Sequence, residues 1–179
     1  MPEREANDED YFRRSIGDER IFDSVIVFPN GTDFDDTLLS SITGTVEKEG
    51  RTYWRDRRVA TQSGEVRSML YRTDKDGAYT IFEWLGDDRE YQTVVFPLQV
   101  GNQWQFTVGD RTSTVTVVGY ETVDVGYTTY RDCLHLHLER TDGDIHDTWS
   151  ARGVGLVKST IATSTETTMI TLKELKAAR

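Results

Sequence analysis

The chain has 179 residues, 36% hydrophobic and 11% aromatic, enough for one domain with its own core and too apolar for whole-chain disorder. Its formal charge of −10 argues against a nucleic-acid partner, which needs a basic footprint, and against direct contact with an anionic membrane surface. No apolar run reaches membrane-spanning length, and a single cysteine, Cys133, can form no intrachain disulfide.

Residues 1–10 are acidic and polar and read as a solvated leader, without a signal-peptide pattern. That leaves a cytoplasmic protein, or an envelope or secreted one whose targeting segment has been removed. A single β domain is expected over 11–179. Segment 20–28 carries apolar residues on both parities, Ile21, Val25 and Val27 against Phe22, Ile26 and Phe28, as in a strand with partners on both faces. Pro29-Asn30-Gly31 ends it. The Thr- and Ser-rich run 37–46 predicts a second strand, with a bulge at Gly44. Further strands are expected over 51–61, 65–73 and 78–85, separated by Glu49-Gly50 and Asp74-Lys75-Asp76-Gly77. Val94-Val95-Phe96-Pro97-Leu98-Gln99-Val100-Gly101-Asn102 then turns the chain at mid-length into a strand over 103–108. Strands over 113–120, 128–140, 145–150, 155–162 and 167–175 follow. Only 172–178 and parts of 8–16 have any helical claim. Such spacing predicts an all-β antiparallel domain and leaves barrel, sandwich and curved sheet open.

The chain also repeats itself. Phe12…Ile16-Gly17-Asp18…Phe22 aligns with Phe96…Val100-Gly101-Asn102…Phe106 at an offset of about 84 residues. Gly50-Arg51-Thr52-Tyr53-Trp54-Arg55-Asp56 aligns with Gly126-Tyr127-Thr128-Thr129-Tyr130-Arg131-Asp132 at about 76, where Asp76-Gly77-Ala78 also meets Arg152-Gly153-Val154. Gly44 falls close to Gly119. The shared positions are glycines where a turn needs positive φ and aromatics just inside the next strand. Two duplicated halves, roughly 11–93 and 94–179, are therefore expected to share one core, with a ligand site at their junction.

The segment around Phe96-Pro97-Leu98, together with Tyr130-Arg131-Asp132-Cys133-Leu134-His135-Leu136 and Gly153-Val154-Gly155-Leu156-Val157-Lys158, resembles a family of uncharacterised exported bacterial proteins, often lipoproteins. Their pattern runs "YFPL-x-VGN-x-W", "GTF-x-DCL-x-V" and "PGVGLVK". This chain departs from it at Arg152, which stands at a proline position, and at Gly126-Tyr127-Thr128-Thr129-Tyr130 in place of "AGTF". In the weaker first copy, Arg13 and Arg20 stand at a proline and a tryptophan position. The resemblance implies an exported β-rich domain, attached to a membrane only through a lipid anchor outside this sequence. It supplies no catalytic residue.

Candidate chemistry is sparse. Cys133, His135 and His137 alternate along one strand and share a face, and His146 across the hairpin could add a fourth metal ligand. The alternative is a leucine core face, Leu134, Leu136 and Leu138, backed by a wet histidine face. The Asp-Gly pairs are explained by turn chemistry, and 74–77 lacks the remainder of a calcium loop. No nucleophile elbow, P-loop or dinucleotide fingerprint is present, and no cofactor is implied. Trp54, Trp84, Phe96 and Trp104 are candidates to line an apolar pocket. These features favour a non-enzymatic binding or interaction module whose partner is an envelope protein or an apolar small molecule. The alternatives are a carrier of lipid-like ligands in a concave β face and a metal-dependent hydrolase.

Overall fold

The computed structural model describes residues 7–177. A 3-10 helix over Asp8–Phe12 precedes the strands β1 (Glu19–Val27), β2 (Asp33–Lys48), β3 (Arg51–Ala60), β4 (Val66–Asp74), β5 (Gly77–Phe82) and β6 (Tyr91–Val95). A second set follows: β7 (Gln103–Val108), β8 (Arg111–Asp124), β9 (Thr129–Arg140), β10 (Ile145–Ala151), β11 (Gly155–Ala162) and β12 (Thr167–Lys176). All twelve belong to one antiparallel sheet, in the order β6-β5-β4-β3-β2-β1-β12-β11-β10-β9-β8-β7. Each half is a six-stranded meander, and the β1–β12 ladder joins them along Glu19–Val27. The two end strands, β6 and β7, come to lie beside one another, so the sheet curls into a nearly closed barrel. There the Trp104 indole Nε1–H donates to the Thr93 carbonyl at 3.1 Å, a side-chain bridge across strands that share no ladder.

The duplication is visible in the hydrogen bonds. Gly17 N–H donates to Ile42 O at 2.9 Å and Ile42 N–H to Asp18 O at 3.0 Å. In the second half Gly101 N–H donates to Val117 O at 2.8 Å and Val117 N–H to Asn102 O at 3.0 Å. Gly17 and Gly101 have φ of 87° and 88°, a conformation that favours glycine. The register of β2 against β3 shifts between Ile42 and Gly44, and that of β8 against β9 between Val117 and Gly119, so each half carries the same bulge. Phe12 and Phe96, counterparts in the repeat, touch with ring centroids 6.0 Å apart. Contact between a residue and its own counterpart is what a local two-fold axis produces.

The second alignment holds at the hairpin turn and then slips. Asp132 has φ 51°, and the β8–β9 pairing jumps from Glu121–Cys133 to Val123–Tyr130, so Arg131 and Asp132 form an insertion that β3 lacks. Asp56, opposite Ile42, therefore corresponds by register to Leu136, opposite Val117, and not to Asp132. At the β4–β5 and β10–β11 turns, the glycines that open the following strands are Gly77 and Gly155.

Alternation sets the inner and outer faces. In β8 Ser113, Val115 and Val117 are buried, while the threonines between them meet β7 in a polar ladder. Gln103 Nε2 donates to Thr116 Oγ1 at 2.9 Å and Gln105 Nε2 to Thr114 Oγ1 at 3.0 Å. The main apolar cluster joins both halves: Tyr11, Phe12, Tyr71 and Val94 pack with Leu98, Val115, Val117, Leu134 and Leu136.

Several element bounds differ from expectation. Segment 172–176 is the end of β12, because its residues are paired with β1; Ala178 lies outside the described residues. The helical claim over 8–16 reduces to Asp8–Phe12. Of the expected leader, residues 1–6 lie outside the described residues. Asp8 accepts from Leu98 N–H at 2.9 Å and Asp10 O accepts from Gly153 N–H at 2.8 Å. β2 begins four residues before the expected 37 because its acidic start pairs with β1 and Asp36 accepts from Gln62 N–H at 2.9 Å.

Candidate ligand-binding site

The open seam follows from strand lengths. β5 pairs with β6 only over Gly77–Thr80, so Phe82 has no paired residue on that side, though its ring lies 5.9 Å from that of Tyr91. The chain leaves the sheet there in a 3-10 helix, Glu83–Leu85, ended by Gly86 at φ 66°. β7 meets β6 through Trp104, but its far half has no strand beside its free edge. Between the two lies a cavity of about 640 Å³, within the range of small-molecule sites. Phe82, Trp84 and Leu85 come from the first half and Phe106, Val108 and Leu138 from the second, so the apolar wall belongs to the junction itself.

Arginines rim the cavity, and each is held by a carboxylate. Arg67 meets Glu65 at 2.7 Å and lies over the Trp84 ring, 5.9 Å from its centroid. Arg140 meets Asp142 at 2.9 Å and Asp144 at 3.2 Å, and Arg111 shares Asp142 at 3.2 Å. His146 lines the cavity on the β10 side, its Nε2 2.8 Å from Ser159 Oγ. Burial, then the positive charge of Arg58, pushes its pKa down to about 4, so the ring is neutral at physiological pH. An apolar wall whose arginines are each paired with a carboxylate suits an apolar or weakly polar guest.

Of the four aromatics expected in a pocket, Trp84 lines this one. Trp54, Phe96 and Trp104 pack against the main core instead, where large rings fill the space between the halves. Leu85, Val108, Leu138 and His146 were not legible as lining residues, because their role depends on the β6 edge being short.

The four candidate metal ligands do not gather. Cys133 is fully buried in a second cluster with Phe22, Val123, Val125, Val157 and Leu172, and burial pushes its thiol up to about 11. His146 is bonded to Ser159, which is itself buried. His135 and His137 share a face, as the alternation implies, but carboxylates take their nitrogens. Asp147 Oδ1 lies 2.8 Å from both His135 Nε2 and His137 Nδ1. Glu121 lies 2.7 Å from His135 Nδ1 and Glu139 3.2 Å from His137 Nε2. The His135 ring also stacks on Trp149 at 4.4 Å. Among the described residues no group of three or more His, Cys, Asp or Glu is placed to hold a metal ion.

A scan of protein-family models finds no match, and a search of curated proteins finds none. Solved structures do match. A candidate exported protein from Bacteroides fragilis with a YMCC-like fold aligns over 92% of this chain and 97% of its own, with TM-score 0.60 and 12% identity. The chain has a YMCC-like fold. A β-barrel-like protein of a domain of unknown function from Brucella abortus covers 93% of the chain and 99% of its own length at TM-score 0.49 and 8% identity. A candidate lipoprotein from Parabacteroides distasonis covers 93% and 98% at TM-score 0.42 and 11% identity.

Proposed function

We propose that this YMCC-like barrel is an exported, non-catalytic module of the cell envelope that carries an apolar or amphipathic small molecule in the seam cavity. The observation that carries the reading is the cavity at the β6–β7 junction, where Phe82, Trp84 and Leu85 face Phe106, Val108 and Leu138 across a gap no ladder closes. Export is supported by the motif resemblance around 94–106, 130–136 and 153–158, and by the description of the Bacteroides fragilis structure as that of a candidate exported protein. Cys133, buried and with its thiol pKa raised, is a poor nucleophile, which favours binding over covalent catalysis.

N-phenyl-1-naphthylamine, which brightens in apolar surroundings, tests the reading. The wild-type protein should bind it saturably and release it to long-chain fatty acids or lysophospholipids. Phe106→Arg, which places a cation in the wall, should abolish binding while leaving the far-ultraviolet spectrum unchanged. Equal probe binding by wild type and Phe106→Arg would remove the seam as the carrier site.

A further inference from the structure

The barrel holds a second group of side chains, none of which lines the seam cavity. Arg20, on β1, is only 3% exposed. Its Nε–H donates to Val154 O at 3.1 Å and its Nη2 lies 3.6 Å from Asp18 Oδ2, but the buried Nη1 has no hydrogen-bond partner. Tyr71, on β4, is 9% exposed, and its hydroxyl is likewise buried without a partner. Leaving such a donor unsatisfied costs about 1–3 kcal/mol, so two of them in one interior require an explanation.

Arg14 links the two. Its guanidinium lies over the Tyr71 ring, 5.4 Å from the centroid. It also fills the space beside Gly155, where an added Cβ would lie 2.3 Å from Arg14 Nη1. The preceding residue, Val154, supplies the carbonyl that Arg20 holds, so both guanidinium groups rest against one turn of chain. Arg14 donates to the carbonyl of Arg13 at 2.9 Å and has no carboxylate within salt-bridge distance among the described residues. Asp56 cannot serve all of them. It accepts from Ser40 Oγ at 2.7 Å and from Arg58 Nε and Nη2, both at 3.2 Å.

The charges of Asp18 and Asp56 act on Arg20 and that of Glu9 on Tyr71, yet the atoms left unsatisfied are donors, one of them cationic, which favours an anion over a cation. We propose that Arg14, Arg20 and Tyr71 form a binding site for a small monovalent anion, a halide ion or the carboxylate of a small acid. Burial and the charge of Arg14 push the Arg20 pKa down to about 10, a strain that a bound negative charge relieves. Burial raises that of Tyr71, which keeps the hydroxyl a proton donor. This site is independent of the carrier reading.

Bromide and acetate are the probes. Thermal melting is followed while each is titrated at constant ionic strength, balanced with bulkier methanesulfonate, and bromide is located by anomalous scattering in crystals. The expected result is a saturable rise in melting temperature and a bromide peak within hydrogen-bond distance of Arg20 Nη1 and the Tyr71 hydroxyl. Tyr71→Phe keeps the shape and removes only the orphan hydroxyl. It should match or exceed wild-type stability without the anion and need at least a threefold higher concentration for half the rise. Bromide acting alone assigns a halide site, and acetate acting alone a carboxylate site. No response to either, no peak at Arg20, or identical titrations of wild type and Tyr71→Phe would overturn the proposal.

Discussion

Gly77 and Gly155 open the equivalent strands of the two halves, yet alanine should affect them unequally. A Cβ on Gly77 would lie 2.0 Å from the Val94 carbonyl oxygen and 2.9 Å from Gln92 Nε2, so it meets the backbone of β6. The atoms must part by about 1 Å, and a backbone atom in a ladder cannot swing aside. Losing the end of the β5–β6 pairing removes two backbone bonds of about 1 kcal/mol each, and residual overpacking adds about 1–2 kcal/mol. At Gly155, with φ 85°, the nearest atom is Arg14 Nη1, the tip of a flexible side chain, so the cost is mainly conformational. That amounts to about 1–2 kcal/mol. Gly77→Ala should therefore destabilise by about 3–4 kcal/mol and lower the melting temperature by roughly 10 °C, while Gly155→Ala costs about half as much. Urea unfolding followed by tryptophan fluorescence measures both. Equal losses, or a Gly77→Ala loss below about 1 kcal/mol, would refute the packing of β6 on β5 argued here.

Other outcomes follow from named groups. His146 has its folded pKa depressed from 6.5 to about 4, so the unfolded chain binds more protons in that window. Stability should fall by about 3 kcal/mol as pH drops through it, and His146→Gln should flatten the curve. His137 acts oppositely: Asp147, chiefly, raises its pKa, so its contribution is full below pH 6.5 and is lost as pH rises through the raised value. His137→Gln should reduce stability at acid pH and change little in alkali. Trp104→Phe removes the indole bond to Thr93 and should cost about 1 kcal/mol, with faster amide exchange confined to β6 and β7. Cys133 should resist a thiol-reactive dye in the folded protein and label fully in urea, since it is 0% exposed.

The strand rhythm was readable because turn residues and alternation both act locally. Gly17 and Gly101 were legible as counterparts, since only glycine suits their φ and each is followed by an aromatic strand. The acidic opening of β2 was not: Asp33 to Asp36 have loop chemistry, and only pairing with β1 makes them a strand. Nor was the slip at Arg131-Asp132, because a bulge changes register without changing composition. The histidine face was read from alternation alone, but its saturation by Glu121, Asp147 and Glu139 depends on strands whose register no local pattern fixes. The repeat points to the junction of the halves, where the cavity lies, but of Trp54, Trp84, Phe96 and Trp104 only Trp84 lines it and the other three pack against the core. Which aromatic faces space and which faces protein was decided by the short β6 edge.

The two junctions between the halves are chemically alike in origin but not in fate. β1 and β12 zip together with Glu19 opposite Lys176, whereas β6 and β7 share no ladder among the described residues and meet through the peptide 96–102, one indole bond and the packing of Val94 in the main core. A circular permutant, with β12 spliced to β1 and the chain cut between Gln99 and Val100, would move the covalent tether from the loose junction to the tight one. If the tether holds the halves ajar, such a ring would either seal into a cylinder or gape wider. Either result would make the volume of the seam a property set by wiring rather than by side chains.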